Sequence, residues 1–254
     1  MKREAQYIDL TEWDSLDEFD LVQQKHDGQW AVMSIVGGAM TITSRTERVL
    51  YSKDVSCPID VVLVGEYMPP QSVRAQKNNT VGNFYAFDIV VNKLLKDRIF
   101  EMCVAVAEIN LPWVYNTKSY PVEEWERLWD THVADNEWEG LVFKCNNDFL
   151  ANTVGRMKRQ ITADLVCMGF NFNKKGGVRS IRGGMFVSGE LTEVCCVPVR
   201  SSSEKKIYKE SPGEFVGQVF EVTGSEVLPS GAVRDARHPS WRDDKPAEEC
   251  IHHV

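Results

Sequence analysis

Short apolar stretches bounded by glycine or polar residues predict strands at Trp30–Val36, Ala39–Thr43 and Asp60–Glu66, with Gly37-Gly38 turning the first into the second. The run Val61-Val62-Leu63-Val64 has the length of a buried strand and falls far short of a membrane span. Pro69-Pro70 breaks the pattern, and a polar loop from Gln71 to Asn83 leads into Phe84–Val90, an aromatic and β-branched strand. From Lys93 to Ile109 the period changes: Leu94, Leu95, Ile99, Met102, Val106 and Ile109 recur at helical spacing. Pro121 followed by Glu123-Glu124 suits the first turn of a second helix, Val122 to His132. Strands follow at Trp138–Lys144 and Ile161–Phe170.

Beyond about residue 161 the texture becomes that of a small all-β unit. Strand-like pieces (Leu165–Met168, Gly184–Val187, Thr192–Val197, Val216–Val222) alternate with the turns Gly176-Gly177 and Gly183-Gly184, and one short helix spans Ser203–Lys209. Many short strands with a single helix suggest a small barrel, for which an oligonucleotide-binding (OB) fold is a natural candidate. The expected architecture is therefore α+β: a first domain over residues 1–160 and a β-barrel over 161–254.

Composition narrows this without redirecting it. The chain has 254 residues, 43% hydrophobic and 26% charged, as expected of a globular protein with real cores. The N-terminal Met-Lys-Arg-Glu precedes no apolar signal region. Seven scattered cysteines without a Cys-x-x-Cys pair support neither a zinc site nor a disulfide framework, so the expectation is a reducing, cytoplasmic compartment. His252-His253 has no further ligands nearby in sequence.

A net charge of −8 argues against binding nucleic acid by bulk attraction. Its distribution is uneven. Residues 1–20 carry seven acids, whereas 156–182 carry Arg156, Lys158, Arg159, Lys174, Lys175, Arg179 and Arg182 against Asp164 alone. Such a band admits a docked polyanion as readily as a solvated basic face.

Candidate chemistry begins at Gln24-Lys25-His26-Asp27-Gly28, placed between the apolar pair Leu21-Val22 and the strand from Trp30. Taken alone this reads as a hairpin turn containing a lysine. Further short stretches follow in order: Ser44-Arg45, Gly65-Glu66, Phe87-Asp88, Glu139-Gly140-Leu141-Val142-Phe143-Lys144, Arg156-Met157-Lys158 and Arg242-Asp243-Asp244-Lys245. That ordered set closely resembles the motifs of the covalent nucleotidyltransferases, which comprise ATP-dependent DNA ligases, RNA ligases and mRNA capping enzymes. Arg237-His238-Pro239 ahead of the last stretch, and Pro212-Gly213-Glu214-Phe215-Val216-Gly217-Gln218-Val219, resemble the DNA ligases in particular. The resemblance spans about residues 20–249.

The resemblance implies a nucleotidyltransferase (ATP-grasp-like adenylation) domain of antiparallel sheets and helices followed by an OB-fold, with ATP and Mg2+ as cofactors and nicked duplex DNA as partner. It implies Lys25 as the nucleophile that becomes a lysine-AMP, with Lys158, Arg242, Asp244 and Lys245 completing the chemistry. Gln23, Glu66, Phe87, Lys144 and Arg156 would join Lys25 and Lys158 in holding the nucleotide: Glu66 at the ribose, Phe87 on the adenine, and the cations on its phosphates. Glu139, with Glu66, would serve the metal, a hard carboxylate site suited to magnesium. Arg45 would hold the nick 5′-phosphate, and Lys174, Lys175, Arg179 and Arg182 would add DNA contacts. The bland readings are a solvated basic edge for these cations, core packing for Phe87 and exposed strand carboxylates for Glu66 and Glu139. With little chain ahead of Lys25, the resemblance is to minimal two-domain ligases, a form common among viruses and some bacteria. The expectation is a monomer in the cytoplasm (a host's, if the chain is viral), with no membrane partner and a hinge close to Lys158–Asp164. An RNA ligase or capping guanylyltransferase is the alternative within the superfamily, and a catalytically silent nucleic-acid-binding protein the alternative outside it. One position departs from the pattern: Trp30 stands where many relatives have arginine.

Overall fold

A computed structural model describes residues 6–10, 14–70, 80–135, 137–147 and 153–251; most of the predicted loop from Gln71 and the His252-His253 pair lie outside them, as does the side chain of His238. The chain divides into two compact units, Met1–Lys158 and Arg159–Val254.

Two sheets build the first unit. One orders its strands Val49–Asp54, Ala39–Ser44, Gln29–Val36, Val61–Met68, Asn83–Ile89 and Val114–Asn116, antiparallel except for the last pair. Gly37 and Gly38, at φ +56° and +81°, make the predicted turn in a conformation that glycine adopts without steric cost. Alternation buries Ala31, Met33, Ile35, Met40, Ile42 and Leu63, on which the helix Leu95–Ile109 lays Met102, Ala105, Val106 and Ile109. Arg98 of that helix and Asp88 of the strand Asn83–Ile89 are wholly buried and paired at 2.8 Å. Arg98 also donates to the carbonyls of Lys93 and Asn147, tying the helix start to the chain after Lys144.

The other sheet orders Gln6–Asp9, Thr153–Lys158, Gly140–Lys144, Leu21–Lys25 and Ser119–Pro121. Its core face carries Val22, Leu141, Phe143 and Met157, packed with Phe19, Leu128 and Val133. The segment expected as one helix from Val122 to His132 is instead a 3-10 turn, one α-turn (Trp125–Leu128) and a π-helical turn (Trp129–Val133). The wider π-turn lets Leu128 and Val133, five residues apart, both reach the core.

The second unit is a five-stranded antiparallel sheet ordered Glu190–Pro198, Val178–Val187, Ile161–Phe172, Val219–Gly224 and Arg237–Trp241. Among the described residues no hydrogen-bonded ladder joins the two outer strands, so the sheet is not closed into a barrel by strand pairing. The strand expected from Val216 begins only at Val219, because Pro212–Glu214 forms a 3-10 turn and Gly217 sits at φ +89°. The helix Ser202–Glu210 is capped by Ser201, whose hydroxyl accepts from the Glu204 backbone N–H. Tyr208 from that helix packs with Phe170, Phe215 and Trp241, and its hydroxyl oxygen accepts from the Trp241 indole at 3.0 Å.

Candidate active site

Three adjoining strands set the heart of the site by register. Gly140 pairs with Lys25 on one side and Lys158 on the other; two residues along, Val142 pairs with Gln23 and Arg156. Since Val22, Leu141 and Met157 point into the core, the alternate positions Gln23, Lys25, Val142, Arg156 and Lys158 belong to the opposite face. Gly140 must be glycine for space: a Cβ there would lie 2.2 Å from the Met157 carbonyl oxygen.

Glu139, just ahead of Gly140, joins the two lysines. One carboxylate oxygen accepts from Lys25 Nζ and the other lies 2.7 Å from Lys158 Nζ. Gln23 is buried and donates to the Ser119 hydroxyl at 2.7 Å. Buried Lys144 donates to the Phe87 carbonyl at 2.9 Å and holds its ammonium 4.6 Å from the centre of the Phe87 ring. Arg156 pairs with Asp9 at 2.7 Å, so the start of the described chain takes part in placing a site cation.

The six-stranded sheet supplies the facing residues. Trp30 and Tyr85 flank Glu66 in register, one on each neighbouring strand, and Tyr115 flanks Tyr85. His26 stacks on Tyr85 with ring centroids 4.3 Å apart and lies 3.0 Å from the Thr117 hydroxyl. Burial, with the Lys25 charge beside it, lowers His26 to about 4, so the ring is neutral at physiological pH. Burial raises Glu66 to about 7; the Glu139 carboxylate pushes the same way, while Lys25 and Arg45 oppose it. Arg45 carries its guanidinium over the Trp30 ring at 5.5 Å from the centroid.

A single cleft is thus lined by Gln23, Lys25, Arg45, Glu66, Phe87, Lys144 and Arg156, all singled out from sequence, together with His26, Trp30 and Val142. His26 and Asp88 are among the residues that sequence reasoning left without roles. Each lay inside a recognised stretch, but its partner (Thr117 and Tyr85 for one, Arg98 for the other) is distant in the chain.

In the second unit the singled-out residues behave differently. Arg242 makes a two-pronged pair with Asp244 at 2.8 Å per contact and lies 3.4 Å from both Asp164 and Glu221. Lys245 pairs with Asp164 at 2.6 Å. Arg242 holds Asp244 down at about 2. Lys174, Lys175 and Arg179 are exposed at and beside one hairpin turn, whereas Arg182 is paired with Glu193 at 2.6 Å.

The same architecture is found in solved proteins. A structure described as a structure-function analysis of Lig E DNA ligases, "DNA binding with a minimal scaffold", superposes with a TM-score of 0.72 at 16% identity, covering 94% of this chain and 99% of that one. The fold is that of a minimal DNA ligase. Two further structures, Pmar-Lig_Pre and Pmar-Lig_PreS3, give TM-scores of 0.70 and 0.66 at 15% and 14% identity, covering 89% and 93% of this chain. This chain spans 64% of the former's length and 67% of the latter's. No family model and no curated protein matches the sequence. At such identities the ligase likeness is one of fold, and the side chains in the cleft must carry any chemical reading.

The fit of the cleft to the expected cofactors can be judged from its donors. Among the described residues no cluster of three or more acidic, histidine or cysteine side chains forms a metal cage. The Glu139 carboxylate is close enough to Glu66 to push the Glu66 carboxyl up. Two carboxylates fit magnesium, which typically keeps its waters and shares substrate phosphates. Cations beside an aromatic ring fit a nucleotide. Among the described residues no helix is long and apolar enough to cross a membrane.

Proposed function

We propose that this protein is an ATP-dependent DNA ligase that seals 5′-phosphate/3′-hydroxyl nicks through an AMP carried on Lys25. The observation that supports this best is the shared carboxylate of Glu139, bridging Lys25 and Lys158 beside a cleft lined by Glu66, Phe87 and Lys144. Lys25 Nζ, its proton passed to the Glu139 carboxylate that accepts from it, attacks the α-phosphorus of ATP. An N–P bond forms, the bond to the bridging β-phosphate oxygen breaks, and pyrophosphate leaves. AMP then passes to the nick 5′-phosphate, freeing Lys25, and the 3′-hydroxyl displaces AMP to close the strand. Each step is an in-line displacement at phosphorus, where placement and charge neutralisation supply most of the catalysis.

Here Phe87 faces the base, Glu66 the ribose hydroxyls, and Gln23 steadies the nucleotide. Lys144, Arg156 and Lys158 neutralise phosphate charge. Magnesium, held through Glu139 and Glu66, would supply further neutralisation of the phosphates. Arg45 at the cleft takes the nick 5′-phosphate. Arg242, Asp244 and Lys245 orient the pyrophosphate leaving group when the second unit, read as an OB-fold, closes over ATP about a hinge near Lys158–Asp164. Lys174, Lys175, Arg179 and Arg182 contact DNA, so nick affinity should fall as salt rises.

Sealing of a nicked duplex with ATP and magnesium, comparing DNA with RNA strands and ATP with GTP, tests the proposal. DNA sealing driven by ATP is the expected result. Covalent labelling from GTP alone, or sealing of RNA strands only, would overturn it.

A further inference from the structure

Trp30 occupies a defined place. It pairs with Glu66 on one neighbouring strand. On the other side Ala31 pairs with Ser44, so Trp30 and Arg45 leave the ends of that strand pair next to one another. Both line the cleft, Trp30 half-buried and Arg45 exposed, with the guanidinium 5.5 Å from the indole centroid.

We propose that Trp30 is a positioning residue for the nick 5′-phosphate: its indole face holds the Arg45 guanidinium at the cleft. The inference rests on the ligase reading. Three physical points carry it. An indole face is the best aromatic partner for a guanidinium, which lies within the roughly 6 Å reach of that attraction. An exposed arginine loses side-chain entropy whenever it engages a phosphate, and a flat platform removes part of that loss beforehand. Trp30 has no charge, so phosphate recognition on this edge falls to Arg45, whose fork can grip two oxygens of a terminal phosphate.

The test is equilibrium binding of nicked duplexes bearing either a 5′-phosphate or a 5′-hydroxyl. The full chain is first charged with ATP and then stripped of magnesium. Preference for the phosphorylated nick is read for wild type, Trp30→Ala, Trp30→Phe, Arg45→Ala and the Trp30→Ala/Arg45→Ala pair. Trp30→Ala should reduce the preference by about 3- to 10-fold, and Trp30→Phe should restore most of it. The double variant should be no worse than Arg45→Ala alone, as expected of residues acting through one contact. Losses that add, an equal loss on the 5′-hydroxyl nick, or a Trp30→Ala protein that no longer accepts AMP would each overturn the inference while leaving the ligase reading intact. If Arg45→Ala keeps the full preference, the assignment of Arg45 falls and Trp30's role with it. A wild-type protein that takes no AMP from ATP would overturn the ligase reading itself.

Discussion

In the first unit, Lys25 and Lys158 share Glu139, Lys144 lies over Phe87, and all three sit on strands whose register places them together. In the second unit, Arg242 and Lys245 rest among Asp164, Glu221 and Asp244, while Lys174, Lys175 and Arg179 stand in solvent. The first arrangement is fixed by backbone ladders and burial. The second depends on ion pairs between side chains. Lys245 with Asp164 is as sheltered as Lys158 with Glu139, while Arg242 with Asp244 opens to water on its Asp244 side and can be exchanged for phosphate oxygens at modest cost. On the proposed reading, the first would be a pre-formed pocket for a nucleotide and the second a set of cations for DNA and a leaving group, and the two should fail differently.

The contrast is sharpest for ion pairs of opposite burial. Arg98→Met strands Asp88, a wholly buried carboxylate, and should cost roughly 3–5 kcal/mol of stability. Arg182→Ala, which breaks the exposed pair with Glu193, should cost under about 1 kcal/mol. Denaturant melts of both variants check this, and similar losses would erase the distinction drawn between the units.

Next in size is the effect of the second unit's cations on the chemistry. Lys245→Ala should slow charging with ATP about 100-fold, the scale of losing one charge-stabilising group, yet leave sealing of an already adenylylated nick within a few-fold of wild type. Single-turnover rates on the two substrates measure it. Equal slowing of both would place Lys245 in the nucleotide pocket's task instead.

Glu66 gives a pH dependence. With its carboxyl raised from 4.5 to about 7, the folded chain keeps a proton that the unfolded chain releases between those values. Its contribution is fully present below about pH 4.5 and is lost as pH rises through about 7. Glu66→Gln abolishes that loss, so the variant should gain on wild type between about pH 5 and 8, by roughly 3 kcal/mol at most. Melting temperatures across that range would show parallel curves if the group is not perturbed.

The smallest expected effect belongs to the exposed hairpin. Lys174→Ala with Lys175→Ala should weaken nick binding a few-fold and flatten its salt dependence by up to about two charges. Arg182, already paired with Glu193, should contribute less.

Much of this was legible because alternation and glycine turns are local signals. The strands around Gly37-Gly38 and the helix ending at Ile109 follow from their own residues. The five-stranded sheet of the first unit was harder to see. Its strands are short, Leu21–Lys25 has only two apolar residues, and Thr153–Lys158 interleaves Arg156 and Lys158 with its core positions. Gln6–Asp9, inside what reads as an acidic leader, becomes an edge strand because Thr153–Lys158 offers it a parallel partner. In the site, several side chains picked out by motif order line the cleft, whereas Glu139 and Lys158 are not in its lining, and motif order did not show what any of them touch. Arg98, Asp164 and Glu221 had no signal of their own, since their partners are separated by 10, 78 and 21 residues.

The central claim is that Lys25 carries AMP. The direct measurement is peptide mapping of the protein after incubation with labelled ATP and magnesium, beside Lys25→Ala. AMP on the peptide containing Lys25, lost entirely in the variant along with nick sealing, is the predicted result. An adenylate on any other residue, or undiminished labelling of Lys25→Ala, would contradict it.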